Sequence, residues 1–188
     1  DVYKRQVSKY SEASKAFYDS VFHFPKPTIA MIQGYCIGGG MGLAVACDIR
    51  LCEDKSRFAI PAAKLGLGYG YEGIRRLANL VGPAMVKEIF FTARQFSAGE
   101  AQEMGLVNRV LPPHMLAPYV DDYAKRISEN APMTMESVKA IVQAIQDDES
   151  ARDLDALDAM VKACFASQDY IEGRRAFMEK RKPDFTGS

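Results

Sequence analysis

Apolar residues at Tyr10, Ala13, Phe17 and Val21 recur at the helical period and predict a helix over about 7–22, ended by Pro25 and Pro27. The run 28–32 is short, apolar and closed by Gly34, so it reads as a strand. A glycine-rich stretch from Gly34 to Gly42 follows. The small apolar residues 43–46 then read as a buried helix entered from a glycine turn. Two further strands are predicted at 49–52 and 57–60, and a Gly- and Tyr-rich loop at 61–71. Beyond it the pattern turns helical: 74–81 and 84–91, split by Gly82-Pro83, then a helix opened by Ser97 with Glu100 at the capping-box spacing and stopped at Gly105. One more strand is expected at 107–110. Helices at 115–130 (with Pro113 in the first turn), 133–146, 151–166 and 171–180 complete the chain. Strand and helix alternate early and helix alone fills the end. That order predicts an α/β fold with parallel strands joined by crossovers, built on a thin sheet, and a helical appendage that packs on a neighbour.

With 188 residues, 48% hydrophobic and 26% charged, the chain can build one real core and is not a disordered polymer. Lys+Arg and Asp+Glu are both 24, which removes the electrostatic surplus that drives nonspecific binding to nucleic acid or anionic membranes. The short basic run Lys180-Arg181-Lys182 does not change this expectation. No apolar run reaches the length of a bilayer span. Cys36, Cys47, Cys52 and Cys164 form no CxxC pair, and His23 and His114 are the only histidines, so no metal site and a reducing, cytoplasmic setting are expected. Both histidines, and Arg75 and Arg76, read as surface residues. The start at Asp1 rather than Met, followed by 2–6, predicts a trimmed or foreign beginning.

The strongest local signal is Gly38-Gly39-Gly40, between a strand and a helix. Glycines allow close approach of the main chain, and a helix start presents unpaired N–H groups at the positive end of its dipole. Two readings stay open here, a tight turn with close helix–sheet packing and an oxyanion site. A dinucleotide fingerprint does not fit, because its third glycine falls on Leu43, and no Gly-Lys-Ser/Thr follows for a P-loop.

The segments Lys26 to Ala30, Gly34 to Gly40, Ala46 to Arg50, Gly105 to Val110, and the tail from Glu172-Gly173 to Pro183 resemble the enoyl-CoA hydratase/isomerase (crotonase) superfamily. The resemblance covers nearly everything after residue 7. It implies a crotonase-like ββα superhelix, here with its N-terminal part missing: a start foreign to the family at 1–6, a partial core at 7–112, and a C-terminal helical trimerisation region at 113–188. It further implies acyl-CoA thioester substrates, with coenzyme A belonging to the substrate rather than serving as a cofactor, and homotrimers or hexamers. Two backbone N–H groups would hold the thioester oxygen as it becomes an enolate. One falls on Gly39, beside Gly38 in the substrate pocket; the other would lie upstream. A chain lacking that upstream wall is expected to be inactive or nearly so.

The departures from the family pattern decide the chemistry. Where hydratases of the family carry one glutamate two residues after the glycine triplet, this chain has Gly42; where a second follows a proline, it has Ala62 after Pro61. Hydration needs carboxylates to give and take protons, and neither residue can do so. Decarboxylation or isomerisation is therefore favoured over hydration. The loop 64–74 is most similar to the methylmalonyl-CoA decarboxylase branch, which implies a role for Tyr69; the alternative is a loop aromatic packed on the sheet. Glu72 is either an acid or base for isomerisation or a carboxylate favoured by a helix start. Phe177 and Lys180 share a helix face. The resemblance implies that they meet the adenine and phosphate of coenzyme A on an adjacent subunit; otherwise they are a core Phe and a solvated Lys. The rival to an enzyme is a catalytically silent CoA-thioester-binding or assembly subunit.

Overall fold

The computed structural model describes the backbone of residues 2–188 and side chains from Glu12 onward. Asp1 and the side chain of Tyr10 lie outside the described part. The first helix, α1 (Val2–Phe22), leads through the prolines to β1 (Ile29–Ile32). Gly34 adopts φ 69° and breaks the strand, so the chain re-emerges as β2 (Tyr35–Ile37) in a different sheet. Helix α2 (Gly39–Ala46) returns to β3 (Ile49–Glu53), which steps in the same way to β4 (Arg57–Ala59). Then come α3 (Ala62–Leu65), α4 (Tyr71–Thr92), β5 (Phe96–Ser97), α5 (Ala98–Glu103) and β6 (Arg109–Leu111). The remaining elements are α6 (Pro113–Ser128), α7 (Pro132–Gln146), a single 3-10 turn at Glu149–Ala151, α8 (Leu154–Ala166) and α9 (Gln168–Glu179).

The single thin sheet expected from sequence is replaced by two three-stranded sheets, ordered β1-β3-β6 and β2-β4-β5. All pairs are parallel except β4 with β5. Each step from β1 to β2 and from β3 to β4 crosses between the sheets, which is the ββα superhelical repeat. Strands β2 and β5 are only three and two residues long, too short for alternation to reveal. The split between 74–81 and 84–91 appears as a kink inside α4, where Gly82 takes φ 79° and ψ 160° ahead of Pro83. The capping box is formed in full: Glu100 N–H donates to Ser97 Oγ and Ser97 N–H to Glu100 Oε2 at 2.8 Å.

The chain divides into two compact units, one of 1–24 and 28–120, the other of 25–27 and 121–188, with the boundary inside α6. In the first, Met41, Phe58, Leu77, Ile89, Phe96 and Leu106 are almost fully buried around α2. Two polar devices register the parallel strands. Thr28 N–H and Oγ1–H both donate to Asp48 Oδ2, and Asp48 N–H donates back to Thr28 Oγ1. Arg50 is 4% exposed, and its guanidinium donates to the carbonyls of Leu106 (2.7 Å), Cys47 (2.6 Å) and Ala44. It thereby places a cation at the C-terminal carbonyls of α2. Arg50 and Asn108 also exchange hydrogen bonds, each 2.8 Å, between Arg50 backbone and the Asn108 side chain and amide.

In the second unit, the last residues fold back on α9. Asp169, 3% exposed, accepts from Thr186 N–H and Gly187 N–H, while Glu172 accepts from Arg181 and from Asp184 N–H. Among the described residues no helix is long and apolar enough to cross a membrane.

Replacing Arg50 by Leu strands several buried carbonyls, each worth about 1–3 kcal/mol when left unsatisfied. Arg50→Leu and Arg50→Lys are both expected to lower the unfolding free energy in urea by about 3 kcal/mol or more; a loss under about 1 kcal/mol in both variants would contradict the clamp.

Acid should act through two carboxylates. Glu100 is pulled down to about 2, first by the Ser97 N–H and then by Arg94; Glu172 is pulled down to about 2, first by Arg181 and then by the Asp184 N–H. Groups with depressed folded values contribute stability above their usual range near 4.5, and that contribution fades as pH falls towards 2. Melting temperature measured at stepped pH should therefore decline below about 4.5. The decline should be shallower in an E100Q/E172Q double variant, and an unchanged slope would refute the assignment.

Candidate active site

Strand β2 ends where Gly38 adopts φ 58° and ψ −113°, a conformation that a Cβ would strain. Gly38 N–H donates to Ala59 O at 2.9 Å, so the turn is tied to the end of β4. The first helical hydrogen bond of α2 runs from Gly42 N–H to Gly38 O. The N–H groups of Gly39, Gly40 and Met41 precede it, and Gly38 supplies no side-chain cap. Gly39 and Gly40 are exposed, while Met41 just behind them is buried in the core. The start of α2 thus combines exposed residues whose N–H groups lack a side-chain cap with a turn tied to β4 and a buried Met41. The arrangement can bind an oxygen that gains negative charge.

The neighbouring positions are poor in acids. Gly42 lies one turn into α2. Ala62, at the start of α3, is 4% exposed in the same core as Met41 and Phe58, so a side chain there points into packed apolar atoms. Tyr69 packs edge-on against Phe90 with ring centroids 5.0 Å apart and lies against the core. Glu72 sits in the first turn of α4, where its Oε2 accepts from Arg75 Nε (3.1 Å) and Nη2 (2.8 Å).

Sequence reasoning missed the side chain that does touch the glycine helix. Tyr18 of α1 donates its hydroxyl to Gly39 O at 3.2 Å, and its ring covers Gly42. Arg76 also departs from expectation: it is 7% exposed, not solvated, and its Nη2 donates to Asp19 Oδ1 at 2.6 Å. Its guanidinium stacks 4.2 Å above the Phe22 ring. Burial alone would raise the Asp19 carboxyl, but hydrogen bonds and charge from Lys15 and Arg76 hold it below the usual range. A partner 57 positions away leaves no local signal.

The tail residues belong to the second unit. Phe177 is 82% exposed, which excludes the core-facing alternative, and Lys180 caps α9 in the left-handed region at φ 53°. His23 and His114 are exposed, as expected. Cys36 and Cys52 are buried, and burial pushes their thiols up to about 11 and about 12. Among the described residues no cluster of three or more His, Cys, Asp or Glu could hold a metal.

Known proteins resemble this chain in sequence and in fold. The chain is 41% identical over 162 residues to a crotonyl-CoA hydratase of Syntrophomonas wolfei, covering 85% of this chain and 62% of that protein. It is 36% identical over 171 residues to a carnitinyl-CoA dehydratase of Salmonella arizonae, covering 89% and 66%. The chain therefore spans less than two thirds of the length of these relatives. A crystal structure of an enoyl-CoA hydratase/carnithine racemase from Magnetospirillum magneticum superposes with a TM-score of 0.89 at 34% identity, covering 98% of this chain and 68% of that one. The model of the enoyl-CoA hydratase/isomerase family matches residues 2–188, and with these likenesses it establishes that the chain belongs to that family.

Proposed function

We propose that the protein processes acyl-CoA thioesters by stabilising an enolate at the Gly39 N–H, and that its reaction is decarboxylation of a malonyl-type thioester. The observation that carries this reading is an open, uncapped helix start with no carboxylate at positions 42 and 62. The C–CO₂ bond breaks heterolytically, CO₂ leaves, and the electron pair forms the enolate, whose oxygen accepts from Gly39 N–H. A proton taken up from solvent at the α-carbon then gives the saturated acyl-CoA. No general base is required. One oxyanion donor in an acyl-transfer enzyme is worth about 2.7–4 kcal/mol of barrier.

Isomerisation of a 3-enoyl thioester is the second reading, with Glu72 moving the proton. The ion pair with Arg75 disfavours it, because that carboxylate must leave a cationic partner to act as a base. Phe177 and Lys180 would meet coenzyme A on a neighbouring subunit of a trimer or hexamer. The exposure of Val138, Val142 and Ile145 along one side of α7 supports such an assembly. Four free thiols fit a reducing, cytoplasmic setting.

The test is turnover by the protein at its native length on methylmalonyl-CoA, a 3-enoyl-CoA and crotonyl-CoA. Release of CO₂ with propionyl-CoA is expected. Hydration of crotonyl-CoA should be lower by the roughly 10²–10⁴-fold that a lost acid–base group costs. Rapid hydration would overturn the reading of Gly42 and Ala62, and binding without any turnover would favour a silent CoA-binding subunit.

A further inference from the structure

Tyr18 makes two contacts with α2 that a helix packed only for burial would not need. Its hydroxyl donates to Gly39 O at 3.2 Å, so it holds the residue proposed to supply the oxyanion's N–H. A Cβ built on Gly42 would lie 3.1 Å from Tyr18 Cζ, 3.3 Å from its hydroxyl oxygen and 3.4 Å from Cε1. A Cβ on Gly39 would lie 3.2 Å from the same oxygen. These distances are tighter than ordinary van der Waals contact, so the phenol and a side chain at position 42 compete for one space. At Gly40, between them, a Cβ would meet nothing within 4 Å. The crowding is local to the two positions that Tyr18 covers.

The phenol is held in place from behind. The next residue, Asp19, pairs with buried Arg76 of α4, and Arg76 stacks on Phe22 one turn further along α1. These contacts pin α1 in the turn that follows the tyrosine.

We propose that Tyr18 is the positioning and specificity-determining residue of this site: its hydroxyl fixes Gly39, and its ring fills the space over Gly42 and restricts that position to glycine. A phenol therefore stands where a side chain at 42, including a carboxylate, would otherwise begin. The proposal rests on Gly39 as the oxyanion donor for its hydroxyl half; the steric half stands without it.

Two arms separate these. The first is a stability cycle that needs no activity. Gly in a helix interior is worse than Ala by about 1 kcal/mol, which for a chain of this size is about 2–4 °C in melting temperature. Gly42→Ala in a Tyr18→Ala background should show that gain. With Tyr18 present the gain should vanish or reverse. An equal gain in both backgrounds overturns the steric half, whatever the enzyme turns over.

The second arm is Tyr18→Phe, which keeps the ring and removes the hydroxyl. On the acyl-CoA that the protein processes, kcat should fall about tenfold with KM within about twofold, the pattern of an interaction made in the transition state. A kcat equal to wild type overturns the hydroxyl's role. A protein that turns over no acyl-CoA refutes the proposed function and with it the hydroxyl half, while the stability cycle still decides the Tyr18–Gly42 pair.

Discussion

Gly38 carries the chain from β2 into α2 through a backbone conformation open only to glycine, with its N–H tied to the carbonyl that ends β4. A strand of one sheet thus becomes a helix whose first residues, Gly39 and Gly40, are exposed while Met41, two residues past Gly39, is already in the core. Burial behind and hydrogen bonding beneath leave Gly39 little freedom. Electrostatic stabilisation of a transition state depends on that kind of rigidity, because donors that need no reorganisation lose nothing at the moment of reaction. Other polar contacts of the first unit serve the same end. Arg50 gathers the carbonyls at the far end of α2, and the Thr28–Asp48 bracket sets β1 against β3.

The site is as notable for the groups it lacks as for those it has. Fold and family carry acyl-CoA chemistry, yet the positions from which acids and bases would work are Gly42 and a buried Ala62. On the proposed reading, a chain with an oxyanion donor and no proton-transfer groups at these positions either generates the enolate in another way or only binds. Departure of CO₂ is such a way. The glycine at 42 is also more than an omission, since Tyr18 occupies its surroundings.

Much of this was legible in the sequence. The glycine triplet, the Ser97–Glu100 box and the Gly82-Pro83 break are local signals, each set by backbone conformations that only certain residues accept, and each appears in the structure. The long helices followed from periodicity. What escaped was short or distant. Strands β2 and β5 are below the length at which alternation can be read, so two sheets looked like one. Arg76 looked solvated because its partner Asp19 is in another helix, and Tyr18 went unnoticed because its meaning lies in a contact across 21 residues. Phe177 admitted two readings, and its exposure removes only the one that placed it in the core of its own chain.

The proposed chemistry depends on polarisation of a thioester carbonyl by the Gly39 N–H. It can be tested directly by isotope-edited infrared spectroscopy of an acyl-CoA carrying ¹³C at that carbonyl, free and bound to the protein at its native length. A donor aimed at the oxygen lengthens the C=O bond, so the bound carbonyl stretch should fall to lower wavenumber than in water. A bound ligand whose carbonyl stretch stays at or above its value in water would contradict the account.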